Sequence, residues 1–373
     1  MLQFSTKSES CSYPFSQQFT CSRILLFLAF TLLSLISIEA SGADKHDPNR
    51  GLLKRFHKLD AEQLSKQLLA SQQLRAGDEI WLVSSRALTH CVADSSQLAW
   101  FQFANGCLNP RTFEDLQAAQ ESDPFTRTLF YAHGNNTSSD AAIAGGLTVY
   151  RNMFQDRDQP TRLRFVIWSW PSQRQTFPIG KDADLKSRRA VSEGELMRTV
   201  LDQIDGPRPN LLGYSFGGQV VVSALQSPTV LSSGEPFCVS LIAPGFNRDF
   251  LHLEMNRELL DANTKQMNAF VNKKDRVIWA NNTNYCRRKY SGSGMCDHRV
   301  SSKLNGAPYL SEVELAHEAC SKHSIALYSQ NQNIIAGILW QLEHCGSDSE
   351  TEIWIEPQPL SLESLESVEL PAQ

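Results

Sequence analysis

The sequence lacks the features of nucleic-acid-binding and zinc-binding proteins. It has no basic stripe with interleaved aromatic residues, and its 35 basic residues are outnumbered by 40 acidic ones, for a net charge of −5. Nucleic-acid-binding domains carry clustered positive charge, and zinc sites use closely spaced cysteine and histidine pairs, which this chain does not contain. We therefore expect neither a nucleic-acid partner nor a metal site.

The apolar run near the N-terminus is too short for an ordinary membrane span. Residues 24–38 form an uncharged run of 15 residues, below the roughly 20 that cross a bilayer and within the range of a signal-peptide core. Arg23 precedes the run, Ser41-Gly42-Ala43 follows it as a small-x-small cleavage site, and no cysteine stands at a lipid-attachment position. The pattern predicts a signal peptide over 1–43 and export of the chain. The alternative is an uncleaved segment that holds the chain at a membrane.

Seven cysteines remain after residue 43, and disulfides are typical of exported proteins. Their spacing does not determine their connectivity. Short separations favour Cys91–Cys107 and Cys286–Cys296, each closing a polar loop, and Cys320–Cys345, which brackets a helical pattern. Cys238 lies in an apolar run, so we expect it to be a buried free thiol.

Two segments without strand pattern flank the region 79–345. Apolar residues recur at helical spacing within 44–78, which predicts a helical N-terminal extension. Residues 346–373 contain six glutamates and no basic residue, which predicts a flexible acidic tail.

Between these flanks, strand patterns alternate with helical patterns. This alternation predicts an α/β fold with a mostly parallel central sheet and helices on both faces. The predicted strands are 79–84, 98–103, 126–132, 163–170, 208–212, 238–242 and 269–271, and the predicted helices are 138–154, 185–204, 219–225, 248–268 (mainly helix) and 324–343.

The stretch Gly213-Tyr214-Ser215-Phe216-Gly217 is the most informative motif. It joins a short apolar approach to a helical pattern, and a Gly-x-Ser-x-Gly between a strand and a helix is the signature of a nucleophile elbow. The turn is so sharp that only small residues fit at the second position before the serine and at the second position after it. The motif predicts that Ser215 is a nucleophile presented at the start of a helix.

A serine needs a base to take its proton and an acid to orient that base. In the elbow fold these partners follow in the order serine, acid, histidine. Asp275 follows the predicted strand 269–271 across a polar turn and is the candidate acid, with Asp249 as the fallback. His323 enters the last predicted helix from a polar loop and is the candidate base, with His317 as its rival.

A second loop supplies candidate oxyanion donors. His133-Gly134-Asn135-Asn136 follows the strand 126–132, upstream of the nucleophile, where the second donor of an oxyanion hole is expected. We expect the loop at Gly134 and Asn135, together with the backbone N–H of Phe216, to hold the negative charge that develops on a carbonyl oxygen.

These motifs in this order resemble the alpha/beta hydrolases over residues 79–344. The segments 79–86, His133-Gly134 and 168–172 resemble exported bacterial members whose substrates are unknown. The resemblance implies an alpha/beta-hydrolase fold with a Trp-Pro-Ser-like segment on the substrate side of the sheet. Candidate pocket residues are Trp168, Trp170, Pro171 and Tyr214, and core packing beneath the sheet edge is the alternative for the first three.

The expected function is that of an exported serine hydrolase acting on an ester or related acyl substrate, small-molecule or lipid-like. The catalytic triad is Ser215, His323 and Asp275, and it requires no cofactor. Two alternatives stay open at the level of sequence. One is acyl transfer on the same triad, and the other is a binding protein that keeps the fold without turnover.

Overall fold

The described part of the protein alternates strands and helices between residues 79 and 344. The structure is a computed structural model that describes residues 73–88, 95–157, 161–173, 175, 179–227, 235–245, 254–272, 275, 307, 309–315 and 323–345. All of these residues belong to one of the two units into which the chain divides, Gln72–Gln373.

The strands and helices are numbered in chain order. The strands are β1 (Glu79–Ser84), β2 (Ala99–Ala104), β3 (Cys107–Arg111), β4 (Arg127–Ala132), β5 (Leu163–Ser169), β6 (Asn210–Tyr214), β7 (Phe237–Ile242), β8 (Thr264–Val271) and β9 (Leu310–Glu314). The helices are α1 (Phe113–Ser122), α2 (Ser139–Tyr150, extended by a π-helical turn over Arg151–Gln155), α3 (Ile179–Asp202), α4 (Phe216–Gln226), α5 (Glu254–Asn263), α6 (Ile325–Tyr328) and α7 (Gln332–His344).

The strands form one sheet in the order β3-β2-β1-β5-β4-β6-β7-β8-β9. Strand β1 and strands β4 through β9 are parallel to one another, while β2 pairs antiparallel with both β1 and β3. Every residue of β5, β6 and β7 is buried, as expected for parallel strands covered on both faces. The parallel arrangement brings the carboxyl ends of β4, β6 and β8 to the same edge of the sheet.

Helices cover both faces of this sheet. A Cβ on Gly146 of α2 would lie 2.5 Å from the Ile167 side chain of β5, so α2 packs directly on that residue. On α3, Glu193 accepts a hydrogen bond from the indole of the adjacent residue in β5, Trp168, at 3.4 Å. Adjacent residues of a strand point to opposite faces. Helices α2 and α3 therefore lie on opposite faces of the sheet.

The predicted alternation of strands and helices is confirmed, and β1 has the predicted bounds. The elements that were not predicted are α1 and the two edge strands β3 and β9. Helix α1 begins with a capping box in which Thr112 and Asp115 bond to each other's backbone. Pro110 lies in β3, where an edge strand tolerates a residue that cannot donate to the ladder.

Two helix predictions are wrong in part. The predicted helix 248–268 ends at Asn263, because the chain enters β8 at Thr264 and pairs with β7. The predicted helix 324–343 is two helices, α6 and α7, and Asn331 caps the second by accepting from the N–H groups of Asn333 and Ile334.

The cysteine pairing also differs from the prediction. Cys238 of β7 is bonded to Cys345, which follows α7, with 6.3 Å between their Cα atoms. Cys238 is therefore not a free thiol, and Cys345 does not pair with Cys320. The two residues meet because α7 packs against β7, a contact that local spacing does not reveal.

Several predictions concern residues outside the described ranges. These are the signal peptide over 1–43, the acidic tail over 346–373, and the pairings that involve Cys91, Cys286 and Cys296. Of the predicted helical extension 44–78, residues 73–78 are described, and they contain a turn rather than a helix. Among the described helices, none is both long enough and apolar enough to cross a membrane.

Candidate active site

Ser215 lies in the turn between β6 and α4 in an unusual backbone conformation. Its φ is 55° and its ψ is −123°, a region that costs a non-glycine residue on the order of 1–3 kcal/mol. Neighbouring backbone groups fix the turn: Ser215 N donates to Ile242 O, and the N–H groups of Gly218 and Gly245 both donate to Ser215 O, each at 3.0 Å. The surrounding strands thus hold the serine at the carboxyl edge of the sheet.

The glycines of the motif allow this turn to approach its neighbours. A Cβ on Gly217 would lie 2.0 Å from Ala132 O at the end of β4, and a Cβ on Gly213 would lie 2.6 Å from the Cα of Gly218. Neither position has room for a side chain. Small residues two positions before and after the serine are therefore a steric requirement of the turn.

Ser215, His323 and Asp275 form a continuous chain of hydrogen bonds. Nε2 of His323 is 2.8 Å from Oγ of Ser215, and Nδ1 is 2.6 Å from Oδ2 of Asp275. Asp275 follows β8 and is buried, while His323 precedes α6 and its side chain is 11% exposed. The carboxylate can only accept, so Nδ1 carries the proton and Nε2 is left to accept from the serine hydroxyl. This is the tautomer that a general base requires.

Tyr328 is a further member of this cluster that sequence reasoning missed. Its hydroxyl donates to Oδ2 of Asp275 at 2.7 Å and accepts from Nδ2 of Asn272 at 3.0 Å. Tyr214, the residue before the serine, stacks on the His323 ring with 5.0 Å between ring centroids. Burial raises the pKa of Tyr214 well above its ordinary value, so its phenol is neutral.

The loop that begins at Gly134 lies against Ser215. A Cβ on Gly134 would be 3.0 Å from Cβ of Ser215, so a larger residue there would press on the serine. Ser172 makes two hydrogen bonds to the loop. Its Oγ donates to Gly134 O at 3.0 Å, and its carbonyl accepts from Asn136 N at 2.8 Å. The loop is thereby fixed beside the serine.

His133 is buried beneath this loop. Burial, together with the charge of Arg86, lowers the pKa of His133 to about 3, so its ring is neutral at ordinary pH. Nδ1 is 2.9 Å from Gly134 O, and Nε2 is 3.2 Å from Nη2 of Arg86 and 3.3 Å from Trp170 N. Because the last two groups are donors, Nε2 accepts and Nδ1 donates to Gly134.

Arg86 connects β1 to the same loop. Burial lowers the pKa of Arg86 to about 10, which leaves it protonated at neutral pH. Its guanidinium donates to the carbonyls of Thr137 and Ser138 and to Oγ of Ser169. No local sequence pattern indicates that Arg86 makes these contacts, because they join segments about 50 and 80 residues apart in sequence.

The tryptophans of the 168–172 segment pack in the core. Trp168 and Trp170 are both fully buried. Trp170 donates through Nε1 to His133 O at 2.8 Å and stacks on the His133 ring, while Trp168 donates to Glu193. Pro171 is buried as well. These contacts are those of core packing, the second of the two alternatives, and a substrate pocket lined by these residues stays a prediction.

Asp249 and His317, the alternative acid and base, lie outside the described residues. Within the described ranges, no group of three or more histidine, cysteine, aspartate or glutamate residues could hold a metal ion.

A family model described as an alpha/beta hydrolase of unknown function (DUF900) matches residues 111–285. The chain is related to the alpha/beta hydrolase superfamily. The match to this hydrolase family includes Ser215 and Asp275 and ends before His323. No curated protein matches the chain.

Three solved structures are similar to this chain at 12% sequence identity. They are the product of the gene lin2722 from Listeria innocua (60% of this chain, 96% of that chain, TM-score 0.35), EstE5-PMSF (86%, 99%, 0.36) and an esterase from the bacterial hormone-sensitive lipase (HSL) family (84%, 95%, 0.33). The fold assignment depends on the sheet order and the family match.

Proposed function

We propose that this alpha/beta hydrolase is a serine hydrolase that cleaves an ester or related acyl substrate through an acyl-enzyme. The observation that carries the proposal is the hydrogen-bond chain from Ser215 through His323 to Asp275, which begins at a strained elbow. A structural role for three such groups would not require the serine to occupy an unfavourable conformation.

In the first half of the proposed reaction, Oγ of Ser215 attacks the carbonyl carbon and its proton passes to Nε2 of His323. Asp275 holds the imidazole in the required tautomer and stabilises the imidazolium that forms. The imidazolium then returns the proton to the departing alcohol, which leaves the acyl group on Ser215. In the second half, water attacks the acyl-enzyme with His323 again as the base.

The negative charge on the carbonyl oxygen would be held by backbone N–H groups. Phe216 is the first residue of α4, so its N–H has no acceptor within the helix and can donate to the oxyanion. Asn135 follows Gly134, which lies against Cβ of Ser215, and would supply the second donor. Removal of one such donor typically raises the barrier by about 3 kcal/mol.

A fluorophosphonate probe tests this proposal, because it reacts with an activated serine. We expect the protein to be labelled and to hydrolyse acyl esters, and we expect Ser215→Ala to lose both properties. Ser223→Ala is the matched control, since Ser223 lies in α4 and bonds to Gln219 O. Labelling that survives Ser215→Ala would refute the proposed nucleophile.

The ester assay also addresses the nature of the acyl acceptor. A series of esters with increasing chain length separates small-molecule from lipid-like substrates. Addition of an alcohol or amine in the same assay tests acyl transfer, which would appear as a new ester or amide in place of the free acid.

We also propose that the chain is exported and that residues 1–43 are removed. The apolar run and its small-x-small site support this, as does the Cys238–Cys345 disulfide, since disulfides persist in oxidising compartments. Sequencing of the N-terminus of the protein from cell fractions tests the proposal. A chain that retains its first residues in the membrane fraction would indicate an anchor instead.

A further inference from the structure

One oxygen of Asp275 receives two hydrogen bonds from the same short segment of chain. Oδ2 is 2.6 Å from Nδ1 of His323 and 2.7 Å from the hydroxyl of Tyr328. Tyr328 ends α6, the helix that begins two residues after His323. The segment that supplies the base therefore also supplies a second donor to the acid.

The direction of the tyrosine bond follows from its second partner. Nδ2 of Asn272 is 3.0 Å from the Tyr328 hydroxyl, and an amide nitrogen can only donate. The hydroxyl oxygen therefore accepts from Asn272, and its single proton points to Asp275. Tyr328 is 4% exposed and Asp275 1% exposed, so water does not compete readily for either group.

We propose that Tyr328 is a positioning residue of the triad, holding the Asp275 carboxylate in place and sharing the negative charge of Oδ2 with His323. This inference rests on the proposed function. The shared charge limits how strongly Asp275 stabilises the imidazolium, and the fixed orientation keeps Oδ2 in line with Nδ1.

Removal of the hydroxyl has two expected effects on catalysis. Without it the carboxylate can rotate, which lowers kcat by about tenfold, while KM stays within about twofold because Tyr328 is buried and its hydroxyl bonds to Asp275 and Asn272. All the charge of Oδ2 then acts on His323, which favours the protonated ring. The acidic limb of the kcat/KM–pH profile therefore moves to higher pH by several tenths of a unit. The described groups that face the imidazole are Asp275, Tyr328, Tyr214 and Ser215.

The experiment compares Tyr328→Phe with a matched control, Tyr150→Phe. Tyr150 also donates to a buried carboxylate, Oδ2 of Asp78, at 2.7 Å, but it lies in α2 outside the triad. In urea denaturation, both variants should show a similar decrease in the free energy of unfolding. Only Tyr328→Phe should lower kcat and move the acidic limb.

A second variant tests the same inference if Tyr328→Phe does not fold. Asn272→Ala removes the donor that orients the Tyr328 hydroxyl toward Asp275, which weakens the bond to Oδ2, so we expect the same direction of change with a loss of about threefold in kcat. An acidic limb that stays in place in a folded variant overturns the inference, whatever happens to kcat.

The outcome for Ser215→Ala separates this inference from the proposed function. If Ser215→Ala retains hydrolysis and labelling, the proposed function fails and the role of Tyr328 fails with it. If Ser215→Ala loses both while Tyr328→Phe behaves like Tyr150→Phe, the triad stands and only the positioning role is refuted.

Discussion

His133 illustrates how a single residue beneath the site can link local chemistry to the stability of the whole protein. Its ring is neutral because burial and the charge of Arg86 lower its pKa to about 3, compared with 6.5 when unperturbed. Neutral His133 donates to Gly134 and accepts from Arg86 and Trp170. A protonated ring could not accept either bond, so the position of the loop at Gly134 depends on the neutral form.

This difference in pKa predicts a loss of stability in mild acid. As pH falls below 6.5, the unfolded chain takes up a proton at His133, whereas the folded protein does not until about pH 3. Stability is therefore fully present above pH 6.5 and is lost as pH falls toward 3, with a slope of up to about 1.4 kcal/mol per pH unit. Between pH 7.5 and pH 5 we expect His133 to account for a loss of about 2 kcal/mol.

Urea denaturation of the wild type and of His133→Asn across this range measures the effect. The other titrating groups are common to both proteins and cancel in the difference. The wild type should lose about 2 kcal/mol more than the variant between pH 7.5 and pH 5. If the wild type and His133→Asn lost equal free energy of unfolding over this pH range, His133 would take up a proton as easily in the folded protein as in the unfolded one.

The residues of the candidate triad could be selected from the sequence because each is marked by a local pattern. Ser215 lies between a strand and a helix with glycines on both sides, and Asp275 and His323 follow it in the expected order. Tyr328 and Arg86 carry no such mark. Their roles depend on which distant groups they meet after folding, and a single sequence does not contain that information.

At the scale of elements, the turn that carries Ser215 depends on close contact between β4 and α4. A Cβ at Gly217 would overlap Ala132 O at 2.0 Å, so the start of α4 and the end of β4 could not keep their separation. We expect Gly217→Ala to lower the free energy of unfolding by more than about 3 kcal/mol and to abolish hydrolysis. Urea denaturation and the ester assay measure the two effects.

Gly145→Ala is the matched control for this prediction. Gly145 lies in α2, and a Cβ there meets nothing within 4 Å. Because alanine favours the helix more than glycine does, the variant should be more stable by about 0.5–1 kcal/mol, with hydrolysis unchanged. If Gly217→Ala were as stable as the wild type, the turn would have room that the structure does not show.

Elements could be predicted where the apolar pattern is strong and local. The bounds of β1 are those predicted, and β5 and β7 differ from their predictions by one residue at one end. Edge strands β3 and β9 were missed because most of their residues are partly or fully exposed and carry no apolar pattern. Residues 264–268 of β8 were assigned to a helix because exposed Lys265 and half-buried Gln266 interrupt the apolar pattern of the strand.

At the scale of the whole molecule, the disulfide joins β7 to the residue that follows the last described helix. Cys238 and Cys345 are 107 residues apart, and the loop they close contains Asp275 and His323. Local spacing favoured shorter loops because closure costs more entropy as a chain lengthens. Tertiary packing of α7 on β7 and β8 overrides that preference: Gln341 donates to Val239 O, and Gly337 approaches the ring of Phe270.

This bond should contribute substantially to stability. A cross-link that closes a loop of about 100 residues restricts the unfolded chain, with a typical effect of about 2–4 kcal/mol. We expect Cys345→Ser to lower the free energy of unfolding by this amount in non-reducing urea denaturation. Cys345 is the better position to change, because Cys238 is 3% exposed and a serine there would bury an unpaired hydroxyl.

Reductant supplies the control for the cysteine prediction. With all disulfides reduced, the wild type and Cys345→Ser should have nearly equal stability, since the variant then lacks only one thiol. Hydrolysis by the oxidised and reduced wild type should agree within about twofold at low temperature, because the contacts of His323 with Ser215 and Asp275 do not involve the cysteines. Equal stability of the wild type and Cys345→Ser without reductant would refute the pairing. A reduced protein that is stable but inactive would instead indicate that the bond holds the carboxyl-terminal part of the domain in register with the nucleophile.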